Sequence, residues 1–110
     1  MTQATGPAAA APAYLLVQGV VIDAEGFKAY NAVLPPIYRK FGGQYLSVTP
    51  AAKVEVAEGA AENRSIVIAR FPSKDAAWAF WRSAEYEAAK ALRAGKGTFF
   101  VAVLDGLPGT

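Results

Sequence analysis

Ser83, Glu85, Tyr86 and Arg93 are the residues whose types and spacing best suit chemistry in this chain. On one regular helix, Tyr86 and Arg93 stand about two turns apart, and Glu85 falls on an overlapping face. A guanidinium so placed binds a carboxylate or an enolate. Glu85 or Tyr86 beside it would then donate or accept a proton. The same residues also have a structural reading. Ser83 would cap the last helix, Glu85 would favour its positive end, Tyr86 would pack, and Arg93 would meet the C-terminal carbonyls or a partner chain.

Other polar residues stand out against apolar surroundings. Arg70 is the single charge in the run Ser65–Phe71. Facing the helices, it would be a buried cation needing Glu55 or an anionic ligand as partner; at an edge it would be solvated. Tyr30, Asn31, Tyr38 and Arg39 flank Pro35-Pro36. A helix interrupted there loses backbone donors and can open a cleft. Asn31 and Tyr38 would orient a ligand in it, or Asn31 would only satisfy backbone groups or water. Trp78 and Trp81 would wall an apolar pocket, or serve core or dimer packing. Gln18, polar within an apolar strand, would point into an interior or hydrogen-bond across a dimer. The expected assignment is Glu85 and Tyr86 as catalytic groups, and Arg93, Arg70, Tyr38, Asn31, Trp81 and Ser83 as ligand-binding groups. No metal ligand is expected.

Composition narrows the chemistry further. The chain has no cysteine and no histidine. Disulfides, thiol nucleophiles and Ser–His–Asp arrangements are therefore excluded, and the usual zinc and axial haem ligands are missing. No cofactor is expected. The glycines at 42–43, 95 and 97 follow helices rather than strands, so they do not read as phosphate loops. The formal net charge is only +2, with no dense basic stripe, which argues against nucleic acid as a partner. No apolar run is long enough to span a membrane. The opening MTQATGPAAAAPA lacks the basic start and leucine-rich core of a secretory signal, so a cytoplasmic location is expected.

The elements that must position these residues follow from local pattern. Tyr14–Ile22 is a run of β formers suited to a central strand, and Gly19 inside it permits a close approach or a bulge. Asp23 is placed to cap a helix carrying Phe27, Tyr30, Leu34, Ile37, Tyr38 and Phe41 at helical spacing, with a kink or interruption at Pro35-Pro36. Gly42-Gly43 ends it. Gln44–Thr49 reads as a strand, Lys53–Glu58 as its continuation, Gly59–Arg64 as a turn and Ser65–Phe71 as the returning strand. Ser73 starts the second helix and Ser83 marks a break in it. Thr98–Leu104 is the last strand. Residues 1–13 read as a flexible tail, 14–104 as the domain and 105–110 as a short C-terminal tail.

The order βαββαβ is that of an α+β, ferredoxin-like split β-α-β unit with a four-stranded antiparallel sheet. Its two helical segments cover one face only. Apolar residues make up 54% of the chain and charged ones 18%, which implies apolar surface buried in a pocket or interface. A homodimer through the open sheet face is the expected partner arrangement.

The Tyr30 helix, its Gly42-Gly43 end, Ala69-Arg70-Phe71-Pro72-Ser73, and Trp81-Arg82-Ser83-Ala84-Glu85-Tyr86 followed by Arg93 resemble domain-of-unknown-function family 1330. The resemblance covers about Tyr14 to Leu104. It implies membership of the dimeric alpha-beta-barrel group. Relatives in that group include cofactor-free monooxygenases, a muconolactone-type isomerase, haem enzymes and ligand-sensing domains. Many of those enzymes use a pocket histidine, which this chain lacks. The expected function is binding of a small organic, anionic molecule between helices and sheet. The alternatives are a cofactor-free isomerase or monooxygenase-like enzyme acting on a small organic acid, and a purely structural dimer.

Overall fold

The computed structural model describes residues 11–60 and 63–110. The expected tail over residues 1–13 lies outside the described residues apart from 11–13, as do positions 61 and 62 of the expected turn. The elements are β1 (Ala13–Val21), α1 (Ala24–Lys40), β2 (Gln44–Thr49), β3 (Ser65–Phe71), α2 (Lys74–Trp81), α3 (Ala84–Ala91) and β4 (Gly97–Asp105).

The helix boundaries come from side chains that satisfy the first N–H groups. Asp23 accepts from the Gly26 N–H at 2.9 Å, Ser73 from Ala76 at 3.1 Å and Ser83 from Tyr86 at 3.0 Å. Ser83 therefore separates α2 from α3, as its position predicts. At the end of α1, Gly42 adopts φ +80°. Its N–H donates to the Arg39 carbonyl at 3.1 Å, and the Gly43 N–H donates to the Tyr38 carbonyl at 2.7 Å. This pair of bonds closes a helix whose next residue is left-handed.

Two local expectations are corrected, the interruption of α1 and the continuation of β2. Pro35 and Pro36 lie inside α1 without ending it. Their missing N–H groups would have served the carbonyls of Asn31 and Ala32. Both of those residues are exposed, so water can take the donors' place. Lys53–Glu58 is not a strand: a 3-10 turn, Ala51–Lys53, is followed by irregular chain. Val54 and Val56 alternate as a strand would, but β3 offers them no partner. The β2–β3 ladder already reaches Thr49 opposite Ile66, next to the start of β3.

The strands form one antiparallel sheet in the order β2-β3-β1-β4, the ferredoxin-like arrangement. The barrel expected from the resemblance is corrected. The sheet is open, with β2 and β4 as separate edges. Four strands fall well short of the roughly eight needed to close around a side-chain-filled interior.

The helices cover the face that carries Ala13, Leu15, Ala69 and Phe71, all buried. Phe80 is the centre of this layer. Its ring lies 4.4 Å from Tyr38, 5.3 Å from Phe71 and 4.9 Å from Tyr86. Such offset aromatic contacts add about 0.5–1.5 kcal/mol each beyond area burial. They fix α1, α2 and α3 to one another and to the sheet. The opposite sheet face, with Leu16, Ile68, Phe100, Ala102 and Leu104, has no covering helix or strand among the described residues.

Candidate functional site

Valine is the recurrent side chain under α1. Val48, Val67, Val17 and Val101 stand in one register row across all the strands. Together with Leu15 they floor a cavity of about 250 Å³ between sheet and helices. Short branched side chains do not reach α1, and Leu34, Pro35 and Tyr38 on that helix form the roof. The lining is mainly apolar, with a few polar groups gathered at one end, the usual composition of a small-molecule site.

Arg93 is the charged group of the cavity. It lies beyond α3, not on it. Its N–H donates to the Lys90 carbonyl at 3.1 Å, and its carbonyl accepts from Lys96 at 3.0 Å. Gly95, at φ +74°, turns the chain back toward β4. The guanidinium lies 4.4 Å from the Phe99 ring centroid and 5.6 Å from that of Tyr30. Both contacts are cation–π interactions. Among the described residues no carboxylate pairs with Arg93. Phe99 is fixed in turn by Phe27, stacked at 5.5 Å, and by Gly19 opposite it in the sheet. A Cβ on Gly19 would come within 2.7 Å of the Phe99 ring. The close approach anticipated at Gly19 is therefore made by an aromatic ring of the same chain.

Tyr30 and Tyr86 complete the polar end. Their hydroxyl oxygens are 2.9 Å apart, so one donates to the other. That bond consumes one of the two hydroxyl protons and leaves the second for an outside acceptor. Burial, with Tyr86 beside it, raises the Tyr30 pKa well above the usual phenol value, and the Arg93 charge only partly opposes this. Burial likewise raises Tyr38, and pushes Tyr45 up to about 12. These three phenols stay protonated at neutral pH. Among the described residues the lining contains no carboxylate. The end near Arg93 is therefore rich in hydrogen-bond donors.

Five of the residues singled out from sequence line this one cavity: Asn31, Tyr38, Trp81, Tyr86 and Arg93. The other three are placed elsewhere. Glu85 is not in the lining; its carboxylate pairs with Lys40, which holds it below the usual carboxylate pKa and joins α3 to α1. Ser83 caps α3, and its hydroxyl also donates to the Phe80 carbonyl at 2.8 Å. Arg70 lies between two buried neighbours that face the helices, so it points to the opposite side of the sheet. There it donates to the Thr110 carbonyl at 2.7 Å. Gln18 accepts from Arg64 at 2.6 Å. Tyr30, Phe27, Phe99 and Ser65 also line the cavity, beyond the set chosen from sequence. Tyr30 stands in the helical stripe with Leu34 and Tyr38, which puts it on the cavity side of α1 but by itself gives it no role. The place of Phe99 depends on strand register. Among the described residues no group of three or more metal-ligating side chains is gathered, and no helix is long and apolar enough to cross a membrane.

The fold and the cavity together define an open-sheet ferredoxin-like domain with an apolar pocket beneath its helices. The family described as domain of unknown function (DUF1330) matches residues 12–107, and the chain belongs to that family. A solved protein of unknown function from Rhodopseudomonas palustris is similar, with a TM-score of 0.71, 19% identity, and coverage of 88% of this chain and 83% of that one. A candidate antibiotic biosynthesis monooxygenase from Caulobacter crescentus has a TM-score of 0.58 and 17% identity, covering 90% of this chain and 92% of the other. Another, from Nitrosomonas europaea, has 0.55 and 12%, covering 89% and 93%. At these identities the likeness is one of fold. No curated protein matches the chain at a significant level.

Proposed function

We propose that this protein binds a small organic anion in the cavity between helices and sheet. The carrying observation is Arg93, a cation held between two aromatic rings with no carboxylate partner among the described residues. A partly buried guanidinium favours an anionic partner. The unspent hydroxyl proton of the Tyr30–Tyr86 pair offers a second donor beside it. The valine floor suits an apolar body. Binding is favoured over proton-transfer chemistry because Glu85 lies outside the lining, and the raised Tyr30 and Tyr38 phenols act as donors at neutral pH.

Calorimetric titration with octanoate and with octanamide tests this reading, since the two share a chain and differ in charge. Octanoate should bind about tenfold more tightly, the low end of what a charge-assisted hydrogen bond contributes. Equal binding of the two, or binding of neither, counts against it.

The assembly reading rests on the sheet face away from the helices. Phe100 is 57% and Leu104 44% exposed there. The occupant we propose is a second copy of this chain, face to face. Two cations reach this face, Arg70 at the Thr110 carbonyl and Arg64 at Gln18, and the apolar Leu16, Ile68 and Ala102 lie between them as the contact for a second copy. Sedimentation should show a dimer that Phe100→Glu converts to a folded monomer; a monomeric wild type overturns it.

A further inference from the structure

The cavity beside Arg93 adjoins a second, more open space of about 390 Å³. Phe27, Asn31, Val48, Ser65 and Val67 line both, so the two meet along these residues. The second chamber lies one register row further along the sheet, over the paired Gly19 and Ser65. Thr49, Pro50 and Ala51, where the chain leaves β2, close its far side. Space exists there because the chain after Thr49 turns into a 3-10 helix instead of continuing the ladder.

The two chambers differ in chemistry. The inner one has the Arg93 cation and an aliphatic floor. Among the described residues the outer one is lined by no charged side chain, and by the neutral polar Asn31, Thr49, Asn63 and Ser65. Asn31 faces both chambers, and its amide has no hydrogen-bond partner among the described residues. The Ser65 hydroxyl donates to the Gly19 carbonyl at 3.2 Å, which leaves its own lone pairs as acceptors.

We infer that the ligand is an elongated organic acid with an uncharged, polar-tipped tail: its anion meets Arg93, its apolar body lies on the valine row, and its tail passes Asn31 into the outer chamber. This inference rests on the anion-binding reading above and adds the class of molecule. A charged tail tip would meet no opposite charge among the described lining residues. A hydroxyl, amide or ether would find partners there.

The test uses three acids on the full chain: octanoate, dodecanoate and 12-hydroxydodecanoate, each titrated below its micellar concentration. The hydroxy acid should bind about tenfold more tightly than octanoate, because further methylenes are buried and the tip is hydrogen-bonded. Dodecanoate should fall below the hydroxy acid. Ala51→Trp, at a residue that lines the outer chamber and not the inner one, should remove the gain and leave octanoate unchanged. Equal affinity for octanoate and the hydroxy acid overturns the inference, as does a gain that survives Ala51→Trp in a folded variant. If that variant does not fold, the wild-type comparison decides: dodecanoate equal to or tighter than the hydroxy acid overturns it. Failure of all three acids to bind removes the anion-binding reading itself, a result distinct from binding without length dependence.

Discussion

The hydroxyl oxygens of Tyr30 and Tyr86 lie 2.9 Å apart and tie α1 to α3 at the polar end of the cavity. Either phenylalanine substitution leaves the other hydroxyl without its partner. Each single variant should lose about 1–2 kcal/mol of stability, the cost of an unsatisfied part-buried group. The double variant should lose less than the sum, because no orphan remains. Urea unfolding of the four proteins measures this directly. Strict additivity would show that the bond carries no coupling.

The buried phenols also set an alkaline limit. The folded-state pKa values of Tyr30 and Tyr38 are raised above the ordinary value of 10.0, chiefly by burial. The unfolded chain therefore ionises first as pH rises. The contribution of these groups is whole below pH 10 and is lost as pH climbs above it toward the folded values. Unfolding free energy should fall above pH 10, and the phenolate absorbance of these tyrosines should emerge only as the protein unfolds. Reversible ionisation of all the tyrosines in the folded state at ordinary pKa would contradict the burial.

Gly19→Ala should disturb both the fold and the site. The added methyl meets the Phe99 ring at 2.7 Å, and that ring is held by Phe27 on one side and Arg93 on another. Overpacking of this kind costs about 1–3 kcal/mol. A shifted ring would also carry Arg93 away from the cavity, so octanoate binding should weaken. Wild-type stability with wild-type binding would show that the ring yields freely.

Glu85→Gln is the contrasting change. It breaks the surface pair with Lys40, which lies outside the cavity lining. Octanoate affinity should not change. In the wild type, whatever this pair contributes is present above the ordinary carboxylate value of 4.5 and is lost as pH falls through the lowered folded value. Weakened binding in Glu85→Gln at neutral pH would draw Glu85 into the site.

The pattern of what local sequence reveals is instructive here. Asp23, Ser73 and Ser83 act as caps within three residues of the N–H groups they accept, so short-range pattern suffices to place the helix starts. The apparent strand at 53–58 has the right alternation, but a strand also needs a partner, and β3 begins too late to offer one. Barrel closure is likewise a matter of edges meeting in space, which β2 and β4 do not do. The site divides in the same way. Glu85 and Tyr86 are chain neighbours, yet a helical step of about 100° turns one to Lys40 and the other to Tyr30. Spacing alone puts Arg93 on a helix, whereas α3 ends at Ala91 and a turn carries the guanidinium to Phe99. Phe99 itself enters the cavity through its register opposite Gly19, a pairing between positions far apart in the chain.

Arg93→Gln gives the most direct test of anion binding in this cavity. The variant keeps a polar side chain at a partly exposed turn position, so the fold should persist by circular dichroism and thermal unfolding. Calorimetric titration of wild type and variant with octanoate and octanamide should show octanoate binding weakened about tenfold or more, with the preference for the acid over the amide lost. Unchanged octanoate affinity and an unchanged preference in a folded Arg93→Gln protein would contradict the account.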